Sequence, residues 1–275
     1  MQKNKVYPRS LIAIPNLNLK DYCEKLIDTI KFGEDYYLLL IDNNSTDGSQ
    51  GLFMHKQTNQ NTLVMLNEEN KGASGSWNQA LCIGFEELKC DQVFILNNDT
   101  LLLPETLKII SDNLRIKKVG LASAKNISGE VIDENDFFTK KPHGLNLIWE
   151  TPDFSCFGIN KYCFTEIGYF DESFYPAYFE DNDYHYRMKL DGIKAICNYD
   201  NYYFHYGSRT KHHEKRFDDY IKWRYLQNQA YYSKKWGGEP GKEKYKKPFG
   251  GNPPEYVKIQ KFEKYNNEVE KLNLL

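Results

Sequence analysis

Two groups of carboxylates are placed where a protein could use them. Asp99 closes the order Asn97-Asn98-Asp99 directly after the apolar run 92–96. An acid at the end of a buried strand can ligate a hard divalent cation through oxygen. It can equally cap the turn that starts at Thr100 and runs to Pro104, and the local sequence fits both roles alike. The second group is Glu180-Asp181-Asn182-Asp183, in the first turn of an expected helix over 180–190. Acids there suit the helix dipole, yet three acids in four residues exceed what one cap requires. Tyr175, Tyr178 and Phe179 beside them point to a pocket wall. The helix terminus favours an ionised carboxylate and the acidic neighbours oppose it. An ionised carboxylate is what a general base must be. His205 ends the aromatic run 202–205, just before Gly207-Ser208. A lone histidine is more often structural, but a strand end also suits a metal or phosphate contact.

The surrounding elements must bring these groups together. The runs 10–15, 36–41, 62–66, 92–96 and 119–122 read as strands. Between them, helical spacing follows Asp21, a polar turn over 42–49 opens a second helix, and a third runs over about 76–88. Pro104 suits the first position of a fourth. This β-α-β-α order predicts a mostly parallel sheet with helices on both faces. Ligands bind such sheets at the carboxyl ends of the strands, so the polar clusters 42–49 and 97–99 should face one crevice. Beyond it, 124–153 reads as irregular, 160–167 as a short helix, 193–198 and 202–205 as strands, and 217–236 as a long aromatic helix.

Composition narrows the function. The chain has 275 residues, with 36 Lys plus Arg against 38 Asp plus Glu and a net charge of -2. No long basic run favours nucleic acid. The basic stretch 234–247 is broken by Gly, Glu and Pro, and reads as a solvated tail that could also touch an anionic membrane surface. The apolar run before Pro15 is too short for a secretory leader, and no stretch has the ~20 apolar residues of a membrane span. Six scattered cysteines without a CxxC pair read as reduced thiols of a cytoplasmic protein, free or at the cytosolic face of a membrane.

In chain order, IPNLN (14–18), IDNNSTDGS (41–49), NKGASGSWNQAL (70–81), FILNNDT (94–100), FDESF (170–174), EDNDYHYR (180–187) and FHYGS (204–208) resemble the motif series of inverting glycosyltransferases of family two. The rhamnosyltransferase-like branch, with its KWGG like 235–238, is the nearest in flavour. The resemblance spans residues 8–238. It implies a GT-A fold: an α/β architecture with a mostly parallel central sheet, flanking helices and a helical C-terminal extension. Residues 1–238 would be the transferase domain, with 8–122 the nucleotide-sugar half and 123–210 the acceptor and catalytic half. Residues 239–275 would be a tail and helix.

By the same resemblance, Pro15, Asp42 and Asn43 would line the base and ribose of a nucleotide-diphospho-sugar. Asn70, Gly72 and Asn78 would shape the donor pocket, and Asn97 and Asn98 would hold ribose or a metal-bound water. Asp99 would bind Mn²⁺ or Mg²⁺ as the last residue of the family's DxD-type motif, with His205 completing the site. Asp181 would be the base in a single inverting displacement. That step would move rhamnose or another hexose to a hydroxyl of a glycan acceptor. Independently of the resemblance, the basic residues Arg209 and Lys211 in the loop after His205 suit closure over the diphosphate. The chain departs from the family pattern in three places. Only the final acid of the DxD-type motif remains. Leu17 stands where an aromatic can stack on the base, and Asn43 replaces an acid that can read uracil. Three other functions compete. A sugar-phosphate nucleotidyltransferase needs a Gly- and basic-rich loop after its first strand, which IPNLNLKDY is not. A dinucleotide oxidoreductase needs the GxGxxG spacing that 72–77 lacks. A non-catalytic carbohydrate-binding or assembly protein is favoured by Asn97 and opposed by Asp99, Asp181 and His205 together.

Overall fold

Alternating apolar positions on the early strands explain why one sheet is covered on both faces. In the computed structural model, which describes residues 9–57, 61–207 and 215–252, Leu11, Ala13, Leu39, Ile41, Val93 and Ile95 enter one core with Trp77 and Tyr184. Ile12, Ile14, Leu38, Leu40, Phe94 and Leu96 enter the opposite core with Phe53 and Ile110.

The strands are β1 (Ser10–Asn16), β2 (Tyr36–Asp42), β3 (Thr62–Leu66), β4 (Gln92–Leu96), β5 (Thr100–Leu102), β6 (Val119–Asn126), β7 (Leu147–Trp149), β8 (Cys156–Asn160) and β9 (Lys194–His205). They form a single sheet in the order β3-β2-β1-β4-β8-β6-β9-β5, with β7 on β9. The block β3-β2-β1-β4 is parallel throughout. β8 enters antiparallel to both β4 and β6, while β6 and β9 are parallel. The helices are α1 (Lys20–Thr29), α2 (Ser49–Lys56), α3 (Gly72–Leu81), α4 (Thr106–Asn113), α5 (Glu134–Thr139), α6 (Lys161–Ile167), α7 (Glu180–Leu190) and α8 (Lys215–Trp236).

Several boundaries differ from the sequence reading, each for a local reason. α3 starts at Gly72 rather than near Ser76, because the Asn70 side chain accepts the Gly72 N–H at 2.8 Å and turns the chain into the helix early. It runs on through a π-helical turn at Cys82–Glu87. α4 starts at Thr106, beyond Pro104. The expected strands at 193–198 and 202–205 are one strand. Its polar middle is anchored by Asn201, whose Nδ2 donates to the Thr106 carbonyl at 3.0 Å beside a register shift opposite Ala124 and Lys125. After α8 the chain folds back on α7 and α8. The Tyr232 hydroxyl donates to Glu243 at 2.6 Å and the Tyr186 hydroxyl to the Tyr245 carbonyl at 2.9 Å. The helix expected late in 239–275 and the loop residues Arg209 and Lys211 lie outside the described residues.

Candidate active site

The carboxyl ends of β1, β2 and β4 open into a cavity of about 710 Å³. One wall carries Asp99 and His205. The register that pairs Thr100 with His205 sets the two side chains side by side. His205 Nε2 lies 3.0 Å from Asp99 Oδ1, and the Tyr206 N–H donates to the Asp99 carbonyl at 2.9 Å. Burial pushes the His205 imidazole towards its neutral form, but the hydrogen bond and charge of Asp99 outweigh it and hold its pKa above the usual histidine value.

Asp181 borders the same cavity from another element, the first turn of α7. Its Oδ1 accepts the Asn182 N–H at 2.8 Å. Burial raises its pKa; backbone N–H groups at the helix start oppose this and the charge of Asp153 adds to it. Glu180, beside it, is 5 % exposed, and its Oε2 has no hydrogen-bond partner. Burial, then the Asp181 charge, pushes it well above the ordinary carboxylate range.

Pro15, Asn43, Asn70, Gly72, Asn97 and Asn98 also border the cavity, along with Asp99, His205 and Asp181. Their polar atoms are largely committed to holding its shape. Asn98 Nδ2 donates to Asn16 Oδ1 at 2.7 Å and to the Asn18 carbonyl at 3.1 Å, tying the end of β4 to the loop after β1. Asn43 Nδ2 donates to Ser76 Oγ at 2.8 Å, and its Oδ1 accepts from Asn67 Nδ2 at 3.0 Å. Asp42 and Asn78 stand behind the wall. Asp42 is fully buried and accepts from the Ser45 N–H at 2.9 Å and Gln50 Nε2 at 3.0 Å, which shapes the loop after β2. Asn78 forms a two-way pair with the Phe170 backbone at 2.9 and 2.8 Å, fastening α3 to the turn before α7.

Asp153 is the cavity acid that sequence reasoning missed. It precedes an apolar run instead of following one. Because β8 is antiparallel, its amino end sits at the same edge as the carboxyl ends of β1 and β4. Cys156 pairs with Leu96, and the Asn97 N–H donates to the Ser155 carbonyl at 2.9 Å. The sequence signal would have been a polar cluster, Thr151 to Ser155, at the start of a strand whose direction was unknown.

Residues 11–165 match the family described as Glycosyl transferase family 2. The chain belongs to that family, and its fold is the GT-A fold. Among solved structures it resembles a mannosyltransferase, PcManGT from Pyrobaculum calidifontis in complex with GDP-Man and Mn²⁺. The identity is 17 % and the TM-score 0.60, over 82 % of this chain and 64 % of that one. It also resembles S. aureus TarS 1-349 in complex with UDP, at 15 % identity and a TM-score of 0.53, over 71 % of this chain and 60 % of that one. At these identities the likeness is one of fold, and the chain spans less than two thirds of either protein's length. No curated protein matches the chain in sequence. Among the described residues, no helix is long and apolar enough to cross a membrane.

Proposed function

We propose that this protein transfers a hexose, rhamnose among them, from a nucleotide-diphospho-sugar to a hydroxyl of a glycan acceptor by one inverting displacement, with Asp181 as the base. The carrying observation is that Asp181 and the Asp99–His205 pair, contributed by separate elements, border one cavity. The solved complexes of PcManGT with GDP-Man and Mn²⁺ and of TarS with UDP support a nucleotide-linked donor.

Asp99 and His205 suit a divalent cation of the Mn²⁺ or Mg²⁺ kind. An oxygen and an imidazole donor suffice where the diphosphate and water fill the remaining positions. Among the described residues, no group of three or more His, Cys, Asp or Glu gathers to hold a metal by itself. The charge of the cavity supports a cation as well. Asp99, Asp153 and Asp181 border it, while its lysine, Lys125, is paired with Glu130 at 2.7 Å. A bound cation would supply the positive charge that a leaving diphosphate needs. Asn16, Asn18 and Asn98 hold the base and ribose side of the pocket in shape. Asp181 accepts the proton of the acceptor hydroxyl as the hydroxyl oxygen bonds the anomeric carbon and the bond to the diphosphate breaks, the nucleoside diphosphate leaving. A carboxylate raised above its ordinary pKa is the stronger base for that step. Six unbridged, buried cysteines support a reducing, cytoplasmic setting. Residues 1–238 carry the transferase on this reading.

The test is Asp181→Asn, with product formation and donor binding measured side by side. Loss of transfer with donor binding retained supports the base. Wild-type turnover in this variant removes it, and a wild type that binds sugar without turnover would instead favour a carbohydrate-binding protein.

A further inference from the structure

Asp181 reaches the cavity from an uncommon helix start. α7 has no side-chain cap, and the residue before it, Phe179, is left-handed at φ 72. Tyr178 is left-handed as well, at φ 79. Two successive aromatic residues in that region are sterically costly and persist only where the surroundings enforce them.

The enforcing group comes from α8. Asn228 is 3 % exposed, and its amide Nδ2 faces three carbonyls of this turn: Ala177 at 2.8 Å, Tyr178 at 3.2 Å and Tyr175 at 3.4 Å. Tyr225, one turn earlier on α8, packs its ring 5.3 Å from Tyr178 and 5.1 Å from Phe179. The donor-facing side of the same loop is held separately, by the Ala73 N–H on the Pro176 carbonyl at 2.7 Å. Asn228 itself does not border the cavity.

We propose that Asn228 is a positioning residue for the transfer reaction, its amide pinning the left-handed Tyr178–Phe179 turn and so fixing the direction in which Asp181 enters the cavity. This rests on Asp181 being the base. A misplacement on the order of 1 Å at a reacting group can cost about a hundredfold in rate, and a hydrogen-bonded turn next to the base is where such a displacement would arise. Because Ala73 anchors the donor side, loss of the Asn228 amide acts on turnover and leaves donor affinity in place.

The test uses the full chain with Mn²⁺ and either UDP-glucose or GDP-mannose, following release of the nucleoside diphosphate. Asn228→Ser is expected to lower kcat by about tenfold or more per folded molecule, with donor KM within about twofold of wild type. Tyr225→Ala, a change at an exposed ring that should not impair folding, is expected to lower kcat in the same direction by a smaller factor. Thermal melts followed by circular dichroism give the folded fraction. A kcat that falls only in proportion to that fraction, in both variants, overturns the proposal. Asp181→Asn separates the two levels. If it is inactive while Asn228→Ser and Tyr225→Ala turn over normally, the positioning role alone fails. If Asp181→Asn keeps wild-type turnover, the base assignment fails and the positioning role with it.

Discussion

His205 and Asp99 lie 106 residues apart in sequence, yet their side chains meet at 3.0 Å because β5 and β9 pair antiparallel with His205 opposite Thr100. Backbone register, rather than a local motif, assembles the pair. Asp99 is nearly buried at its side chain and His205 is 18 % exposed, so the pair meets solvent through the cavity.

Removing the charge of Asp99 while keeping its shape isolates its role with a cation. Asp99→Asn retains an acceptor for His205 and loses the anionic oxygen that a hard cation prefers. Mn²⁺-dependent binding of UDP or GDP should weaken by about tenfold or more, while binding without metal stays as in wild type. Calorimetric titration of nucleotide with and without Mn²⁺ measures both. Identical metal dependence in the variant and wild type would remove Asp99 from the metal site.

The acids beside the cavity should cost stability. Glu180 is raised chiefly by burial and then by Asp181, and Asp181 chiefly by burial. Each folded-state pKa therefore exceeds the unfolded one, and the folded chain holds more protons between the two values. Stability falls as pH rises through that window, and the penalty is complete above the folded values. Glu180→Gln and Asp181→Asn should each raise the melting temperature at pH 8, by roughly 2–4 °C for each kcal/mol relieved. The gain should shrink as pH falls towards about 4, near the unfolded carboxylate values, and vanish below them, where both acids are protonated in either state. The double variant should gain less than the sum of the two single gains, since Asp181 contributes to the Glu180 shift. Melts that do not change between pH 4 and 8 would contradict this.

The parallel half of the fold was legible because its strands are apolar runs separated by helical spacing and polar turns. The polar ends of β2 and β4 located the cavity for the same reason. The rest of the sheet was legible only in part: 119–122, 193–198 and 202–205 read as strands, but β5 and β8 did not. β8 reads Cys-Phe-Gly-Ile-Asn, too short and mixed to stand out, and only its pairing with β4 reveals that its amino end borders the site. Asp153 was lost with it. Polarity and position also could not separate residues that face the cavity from those that brace it. Asp42 and Asn78 sit in the same motifs as Asn43 and Gly72, but point into the scaffold, where turn and helix geometry give their side chains backbone partners.

Gly72 is the glycine this cavity requires. Its φ is +72, and an added Cβ would stand 2.7 Å from the Pro176 carbonyl oxygen. Gly72→Ala carries about 1–2 kcal/mol for the left-handed backbone alone, and the contact adds to it. The overall loss should reach about 2 kcal/mol or more in urea unfolding. Nucleotide binding should weaken too, because relief of the clash moves Pro176 and Ala73, both on the cavity wall. An alanine variant of wild-type stability would mean that the loop after Phe174 relaxes freely.

Lys235 sits at the centre of the ionic cluster that ties α8 to α7. Its ammonium pairs with Asp171 at 2.8 Å and with the fully buried Asp183. Asp183 also accepts from Trp236 Nε1 at 2.8 Å and from Arg187 Nε at 2.9 Å. Breaking a buried pair by removing one partner costs about 3–5 kcal/mol, since the other charge stays buried. Lys235→Met should lose an amount of that order at pH 7. Burial raises the Asp171 pKa, but the charge and hydrogen bond of Lys235 outweigh it and leave the carboxyl below its usual value. A depressed carboxylate contributes stability above its unfolded pKa and loses it as pH falls through the folded one. In the variant that depression disappears, so Asp171 takes up its proton at higher pH and the unpaired charge is relieved. The gap between wild type and Lys235→Met should therefore narrow as pH is lowered from 7 towards 4 in urea unfolding series. A gap that stays constant over that range would show that Lys235 acts through packing against Phe174 and Trp236 rather than through its charge.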